Sequence, residues 1–359
     1  MPMAQLLVRT TLAVACLVST VLPAQPVPKK PTRTFAADSF WIRTWMRGGS
    51  KEEDLLTESR QVIAVGGLVL VLDEGTRELL GFDATTGRSR FSLKARGEGP
   101  GEFRRPARIA PTQSGFAVLD HATARITAFD TVGRMQWDAP VTSVFETEGL
   151  CLLPSGQILS KLEGAVGSIL RSDSAGRAIG RSSLEAGADP KAGYGWSGIV
   201  TGPDAHGNCI VARRYGSEWY VVTPAGAVMK HQYVVHSAEA VVNVTVKPGE
   251  REGTRQMVRR SQTVESDPSV MDAMVLGDTL IVRAGGAGRD QLVLLDYYHI
   301  RSGRYLYSRR LPGITNAITV GSNGAFFALI IGQEYSTIYA LRTSRTPPPK
   351  APRNPQPGS

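Results

Sequence analysis

The chain contains few of the residues that most chemical sites use. Its 359 residues include three cysteines and five histidines. No two histidines have the H-x-x-x-H or H-E-x-x-H spacing of a zinc site, and no G-x-S-x-G nucleophile elbow occurs. We therefore predict no metal and no other cofactor, and the sequence favours a protein that is not an enzyme.

Long apolar runs are also scarce. The one near the start covers residues 10–22, follows Arg9, and is too short to span a membrane. This pattern is typical of a secretory signal peptide over residues 1–24, with cleavage after Ala24. Cys16 offers a lipoprotein alternative, but residues 13–15 lack the expected leucine. We predict a secreted or periplasmic protein with no transmembrane segment after signal removal.

The net charge of +9 lies mostly at the two ends of the chain. Residues 25–37 form a predicted proline-rich linker, and residues 343–359 form a predicted disordered proline-rich tail. Removing the seven basic residues of the ends from the 41 in the chain leaves 34, against 32 acidic residues. A nucleic-acid interface needs a concentrated basic face, so we expect no nucleic-acid partner.

Residues 97–137 have the most informative pattern. They contain a glycine-rich lead-in, a strand, a turn at Gly115, a strand ending at Asp120, a third strand, a turn over residues 130–133 and a fourth strand. Four short antiparallel strands separated by turns in this order predict one blade of a β-propeller. A blade cannot bury both of its faces alone, so other blades must stand beside it.

The turn at Gly115 has counterparts along the chain. They are Gly67, Gly156, Gly207, Gly277 and Gly324. Successive spacings of 41 to 51 residues, with one of 70, fit a blade of roughly 40–50 residues. We predict six blades over residues 38–342. The excess length becomes a long loop over residues 236–269, in which residues 254–265 are predicted to form a short helix.

The sixth blade lacks an outermost strand, because the chain runs into the proline-rich tail. Residues 39–45 form an unassigned strand before the first blade. We predict that this strand completes blade six, closes the ring and buries Trp41 or Trp45, which removes an exposed sheet edge. The fold class is therefore all-β, a six-bladed propeller of four-stranded antiparallel blades.

The lead-in G-E-G-P-G-E-F at residues 97–103, followed by Pro106, resembles an NHL repeat. Residues 35–342 as a whole resemble the NHL- or TolB-like six-bladed propellers of secreted bacterial proteins. The resemblance implies a binding fold, and in related propellers a central channel that can hold lactonase or lyase chemistry. Only the second blade carries the full motif.

Propeller connectivity indicates where a site would lie. Connections from a fourth strand to the next blade share one face with those joining second and third strands, and long loops on a rigid ring commonly bind ligands. We predict a monomer that binds a peptide, protein or glycan through this face, with a channel-centred lactonase- or lyase-type enzyme as the alternative. The candidate binding residues are Arg104, Arg125, Tyr194, Trp196, Arg214, Tyr215, Arg289 and Tyr335.

Other interpretations of these residues remain open. Trp196 would also suit the start of a strand packed between blades, and the arginines would also suit pairs with blade carboxylates. Asp73 and Asp120 are interpreted as caps of loop N–H groups rather than as calcium or catalytic carboxylates. Cys151 and Cys209 fall on adjacent blades, where a disulfide is chemically allowed after export. Strand position alone does not set their distance, so we favour two buried free thiols.

Overall fold

The computed structural model describes residues 33–36, 40–49, 56–94, 97, 99, 101–141, 147–162, 167–184, 198–233, 235, 242–252, 255–264, 268, 270–285 and 292–344. The predicted signal peptide and the tail from residue 345 lie outside the described residues, as does most of the linker. The described residues form 26 strands and no helix.

Twenty-four of the strands form six four-stranded antiparallel sheets, and these are the blades. Blade one comprises β2 (Ser59–Val65), β3 (Leu68–Asp73), β4 (Glu78–Asp83) and β5 (Ser89–Lys94). Blade two comprises β6 (Pro106–Pro111), β7 (Gly115–Asp120), β8 (Arg125–Asp130) and β9 (Met135–Pro140). Blade three comprises β10 (Thr147–Leu152), β11 (Ile158–Leu162), β12 (Ser168–Ser172) and β13 (Ala178–Ser183).

Blade four comprises β14 (Gly198–Thr201), β15 (Cys209–Arg213), β16 (Glu218–Val222) and β17 (Val228–Gln232). Blade five comprises β20 (Val270–Leu276), β21 (Thr279–Ala284), β22 (Leu294–His299) and β23 (Tyr305–Arg310). Blade six comprises β24 (Ala317–Val320), β25 (Phe326–Ile331), β26 (Ser336–Ser344) and the N-terminal β1 (Phe40–Gly48). The predicted six-bladed propeller is confirmed.

Strand β1 closes the ring as predicted. It pairs antiparallel with β26, from Phe40 opposite Ser344 to Gly48 opposite Thr337. The Trp41 ring meets the Phe326 ring edge-on, with centroids 5.3 Å apart. The outermost strand of the last blade thus comes from the start of the propeller, so the ring has no open seam.

The hydrophobic core lies between neighbouring blades. The second strands β3 and β7 are buried at every position, because each faces a blade on both sides. Between blades one and two, Phe116 stacks on Phe129 with centroids 5.3 Å apart, and Leu70 packs in the same cluster. Removing this apolar surface from water stabilises the ring by about 25 cal/mol per Å².

The turns between the third and fourth strands of blades two and three follow the Asp-x-x-Gly pattern. In blade two, the Asp130 carboxylate accepts hydrogen bonds from the backbone N–H groups of Val132 and Arg134, each at 2.9 Å. Gly133 closes this turn at a φ of 82°, a left-handed conformation that glycine adopts without steric cost. Its spacing from Asp130 therefore sets the register of the outer hairpin.

The connection between blades four and five differs from the prediction. The predicted short helix over residues 254–265 is wrong, because β18 (Val242–Glu252) and β19 (Arg255–Val264) form an antiparallel hairpin there. Val242, Val244 and Val246 alternate along β18, a strand pattern that supplies a partner for β19. Arg251, Arg255 and Arg259 have the four-residue spacing of one helix face, but like charges at this spacing slightly destabilise a helix, so the spacing did not determine the structure.

The two cysteines of the propeller form a disulfide. Cys151 of β10 and Cys209 of β15 are joined, with their Cα atoms 6.1 Å apart, and the bond ties blade three to blade four. The interpretation of two free thiols is therefore wrong. Packing of adjacent blades brings an innermost strand next to a second strand, which is a proximity that strand order alone does not determine.

A short segment before β1 extends the sheet of blade five. Phe35 forms a parallel bridge with Ser308 of β23. Arg33 forms an ion pair at 3.1 Å with Asp296 of β22, whose side chain is fully buried. Ser308 also donates a hydrogen bond to Asp296. Residues 33–36 are therefore attached to the propeller.

Candidate functional site

The connections form a loop-bearing face, defined here by the links between second and third strands and those between successive blades. The second-to-third links in blades one and two are residues 74–77 and 121–124, and residues 95–105 link the two blades. Because strands alternate in direction, all of these connections emerge on the same side of the ring. A ligand that binds the second-to-third links therefore lies next to the links between blades.

Asp120 ties two of these connections together. Its carboxylate accepts hydrogen bonds from the backbone N–H groups of Arg104 and Arg105 in the inter-blade link, the latter at 3.1 Å. The same carboxylate accepts bonds from Ala122 at 2.7 Å and Thr123 at 3.1 Å. The prediction that Asp120 caps a loop is confirmed, and its cap holds both links of blade two in place.

Asp73 has the same role in blade one. It accepts bonds from the Thr57 N–H at 2.7 Å, the Ser59 hydroxyl at 2.8 Å and the Thr76 N–H at 2.9 Å. Burial opposes ionisation of this carboxyl, but the bonds from Thr76, Thr57 and Ser59 together lower the pKa of Asp73 below its ordinary value. Asp73 therefore remains an acceptor at neutral pH.

A cavity of about 530 Å³ opens between these capped links. We call it the arginine groove, because five arginines line it together with Glu74 and His121. These arginines are Arg60, Arg77, Arg104, Arg105 and Arg108. Arg60 forms an exposed ion pair with Glu74 at 3.0 Å. Among the described residues, five arginines and one carboxylate line the groove, which makes this lining basic in a propeller whose charges nearly balance.

Arg77 has an unusual backbone. Its φ is 54°, in the left-handed region, and Ala124 in the equivalent link of blade two has a φ of 53°. Side chains with a Cβ adopt this conformation at a cost of about 1–2 kcal/mol. Glycine would avoid this cost, so an arginine here keeps its guanidinium in the groove at the expense of some backbone strain.

Of the predicted site residues that the structure describes, Arg104 alone lines the groove. Arg125 lies on the same face at the start of β8, but its Nε bonds both oxygens of Asp138, at 2.8 and 2.7 Å. These hydrogen bonds raise the pKa of Arg125 above its ordinary value. Arg125 is thus paired with a blade carboxylate.

Three other predicted residues lie elsewhere on the loop-bearing face. Arg214 and Tyr215 belong to the second-to-third link of blade four, and Tyr335 belongs to that of blade six. The structure places them on the predicted face but not around the arginine groove. Tyr194, Trp196 and Arg289 lie outside the described residues.

Arg60, Arg77, Arg105, Arg108 and His121 complete the groove and were not among the predicted site residues. Arg77 and His121 sit in second-to-third links, so the rule that selected Arg214 would have selected them too. Arg60 and Arg108 occupy innermost strands at positions where the register with the second strand shifts. Such bulges redirect side chains toward a strand end, and they leave little trace in the sequence.

The central channel contains a second cavity, of about 560 Å³, walled by innermost strands of the blades. Asp272 of β20 lines it and is bonded by the Nε of Arg283 at 2.6 Å. Arg283 is almost fully buried and also donates hydrogen bonds to the carbonyls of Thr315 and Asn316. Burial raises the pKa of Asp272, although Arg283 opposes the shift.

Two further features are absent from the described residues. Within them, no three His, Cys, Asp or Glu side chains come together as a metal-binding group. No helix among them is long and apolar enough to cross a membrane.

Comparison with known proteins agrees with the fold. A model of the DUF5128 family, described as 6-bladed beta-propeller, matches residues 47–144, about a quarter of the chain. No curated protein matches it significantly. The fold and these matches define the molecule as a six-bladed β-propeller. The narrower resemblance to NHL or TolB-like proteins stays an expectation.

Solved structures similar to this chain include three proteins from Bacteroides. A candidate exported protein from Bacteroides fragilis is 12% identical, with a TM-score of 0.50 over 87% of this chain and 99% of that chain. A member of the DUF4221 family from Bacteroides vulgatus is 8% identical, with a TM-score of 0.53 over 86% and 99%. A protein of unknown function from Bacteroides thetaiotaomicron is 12% identical, with a TM-score of 0.51 over 87% and 75%. At these identities the likeness concerns the fold alone.

Proposed function

We propose that this propeller is a non-enzymatic binding module that captures a peptide, protein or glycan through its loop-bearing face. The observation that carries the proposal is the arginine groove between blades one and two. Its volume falls in the range of roughly 300–1,000 Å³ typical of ligand pockets. Binding is the function that a cleft of this size and charge supports best.

The chemistry of the groove supports binding rather than catalysis. Arginine remains protonated in proteins, so a guanidinium neither accepts nor releases a proton at neutral pH. It offers five N–H donors in a planar fork that suits oxygen anions. The caps at Asp73 and Asp120 hold the surrounding backbone, so ligand binding needs to order little additional backbone.

We also propose that the protein works outside the cytoplasm as a monomer. The signal-like segment 1–24 and the Cys151–Cys209 disulfide both suit an oxidising compartment. The similar Bacteroides fragilis protein is itself described as a candidate exported protein. Fractionation of cells that express the full chain tests this, and retention of the chain in the cytoplasm would contradict it.

The binding proposal is tested with the purified exported protein on arrays of peptides and glycans. Substituting Arg104 and Arg105 by alanine together should weaken binding at least tenfold without unfolding, because Asp120 bonds their backbone and not their side chains. Arg134→Ala removes the same type of charge from an exposed turn on the opposite face and should have no effect. Equal binding by wild type and the double variant would refute the proposal.

A channel-centred enzyme of the lactonase or lyase type is the second candidate function. One observation favours it: Asp272 lines the channel cavity with a raised pKa, which suits a proton-transferring carboxyl. Turnover of lactone substrates that Asp272→Asn abolishes and Arg105→Ala leaves intact would establish this candidate. Absence of turnover across a lactone panel would rule out the lactonase form of this candidate.

A further inference from the structure

We infer that the arginine groove recognises an acidic peptide segment, whose Asp and Glu carboxylates bind the guanidinium groups. This inference rests on the proposed binding function and names its ligand class. Glu74, which lines the groove, is bonded by Arg60, so it is not available to neutralise Arg77 or Arg105.

The guanidiniums of Arg77 and Arg105 provide the binding capacity. Both side chains are exposed, and within the described part of the chain neither makes a hydrogen bond or an ion pair. Like charges that line one cavity repel one another, and an anionic ligand would relieve that repulsion. The planar fork of arginine binds a carboxylate through two parallel hydrogen bonds, which makes carboxylates well matched to this lining.

The dimensions favour a ligand with several anionic groups. A cavity of about 530 Å³ is much larger than one small ion requires. In an extended peptide, alternate side chains point the same way about 7 Å apart, so successive carboxylates can meet arginines from both blades. One segment would then contact Arg77 of blade one and Arg105 of blade two.

The lining favours a peptide over an acidic glycan. The uncharged residues around the groove are Pro106, Ala107 and Ala122. Among the described residues that line it there is no Phe, Trp or Tyr, so a sugar ring finds no aromatic face to pack against. Acidic side chains bind arginine through charge pairing alone, and charge pairing does not need an aromatic face.

The backbone at Arg77 allows a specific test of its guanidinium. A glycine would fit its left-handed conformation without strain. Ala124 has the same conformation in the equivalent link of blade two, so the strain belongs to this type of turn. This permits a substitution that removes the guanidinium while relaxing the fold.

The test uses a fluorescent hexaglutamate peptide with the full exported protein. Wild type should bind hexaglutamate at least tenfold more tightly than hexaglutamine, and affinity should fall as salt rises from about 0.05 to 0.5 M. Arg77→Gly should weaken hexaglutamate binding by about tenfold, the loss expected for one charged pair, with thermal stability kept or raised. Ala124→Gly makes the same backbone change outside the groove and should bind like wild type.

Other outcomes separate this inference from the function it rests on. Arg134→Ala should bind like wild type, and weakening equal to that of Arg77→Gly would mean attraction by overall charge and would overturn the inference. If wild type binds trigalacturonate more tightly than hexaglutamate, and Arg77→Gly loses that binding, the ligand class would be an acidic glycan and not an acidic peptide. The proposed binding function would still hold. Equal binding of hexaglutamate and hexaglutamine overturns the inference, and groove-dependent binding of a neutral ligand would still support the function.

Discussion

The side chain of Gln61 in blade one bonds both polar backbone groups of Ile109 in blade two. Its Nε2 donates to the Ile109 carbonyl and its Oε1 accepts from the Ile109 N–H, each at 2.8 Å. The two innermost strands face the channel here and share no ladder, so this amide takes the place of a strand pairing. It joins the two blades directly beside the arginine groove.

Replacing Gln61 by leucine should therefore destabilise the propeller. The change leaves a backbone donor and an acceptor of Ile109 without their partner, at an expected cost of about 1–2 kcal/mol. Urea unfolding followed by tryptophan fluorescence measures it. Gln136→Leu, which removes a solvent-exposed glutamine on an outer strand, is the control and should change stability little. A Gln61 variant as stable as wild type would show that the bond contributes nothing.

Trp45 should be the main anchor of the closing strand. Its ring lies 5.8 Å from that of Phe327 in blade six, and its Nε1 donates to the Ala84 carbonyl of blade one at 3.0 Å. Trp45→Ala is expected to cost about 3 kcal/mol in unfolding free energy. Met46→Ala alters the next residue, whose side chain is largely exposed, and should cost far less. Similar losses for the two variants would contradict the anchoring role.

The disulfide should contribute strongly to stability. It closes a 58-residue separation, for which restriction of the unfolded chain predicts about 4 kcal/mol. The variant with both Cys151 and Cys209 replaced by alanine should unfold at lower urea concentration, and reductant should shift wild type but not the variant. Thiol titration of the unfolded propeller should detect no thiol from these two residues before reduction and two afterwards. An identical midpoint with and without reductant would disprove this expectation.

His231 should make stability depend on pH. Its ring lies against the buried Trp219 ring, with centroids 4.4 Å apart and planes tilted by 34°, and burial lowers the pKa of His231 below the ordinary 6.5. The unfolded chain then binds a proton at a higher pH than the folded one does. The contribution of His231 is complete above pH 6.5 and declines as the pH falls from 6.5 toward the folded pKa.

The substitution His231→Phe keeps an aromatic ring and removes the titration. For each protein, the unfolding free energy is expressed relative to its own value at pH 8. Between pH 7.5 and pH 5, this relative free energy should change less for the variant than for wild type. Urea denaturation at each pH provides the comparison. Parallel profiles for the two proteins would assign the pH dependence to other groups.

Much of the scaffold could be predicted from local patterns. Gly115 and each of its counterparts mark one supersecondary unit, the four-stranded blade. A blade must pack against similar blades to bury both of its faces. The unassigned strand with Trp41 followed from counting strands in the last blade. Asp120 was predictable as a cap, because an aspartate at the end of a second strand lies next to the N–H groups of the following turn.

The two misassignments have different physical causes. Arg251, Arg255 and Arg259 have a spacing that suits a helix, whereas pairing with β18 made the segment a strand. Cys151 and Cys209 lie in different blades, and blade packing set their distance.

The order of turns and apolar runs along the chain determined the number of blades, the strand order of blades one to five and the face on which the loops gather, because each depends on contacts between residues close in sequence. The pairing of β1 with β26 joins distant residues and followed from the strand that the last blade lacked. The tertiary structure alone decided that Arg60, Arg77 and Arg105 share one groove and that Cys151 reaches Cys209. Those relations depend on how neighbouring blades pack and on bulges that redirect single side chains, and no local pattern encodes either.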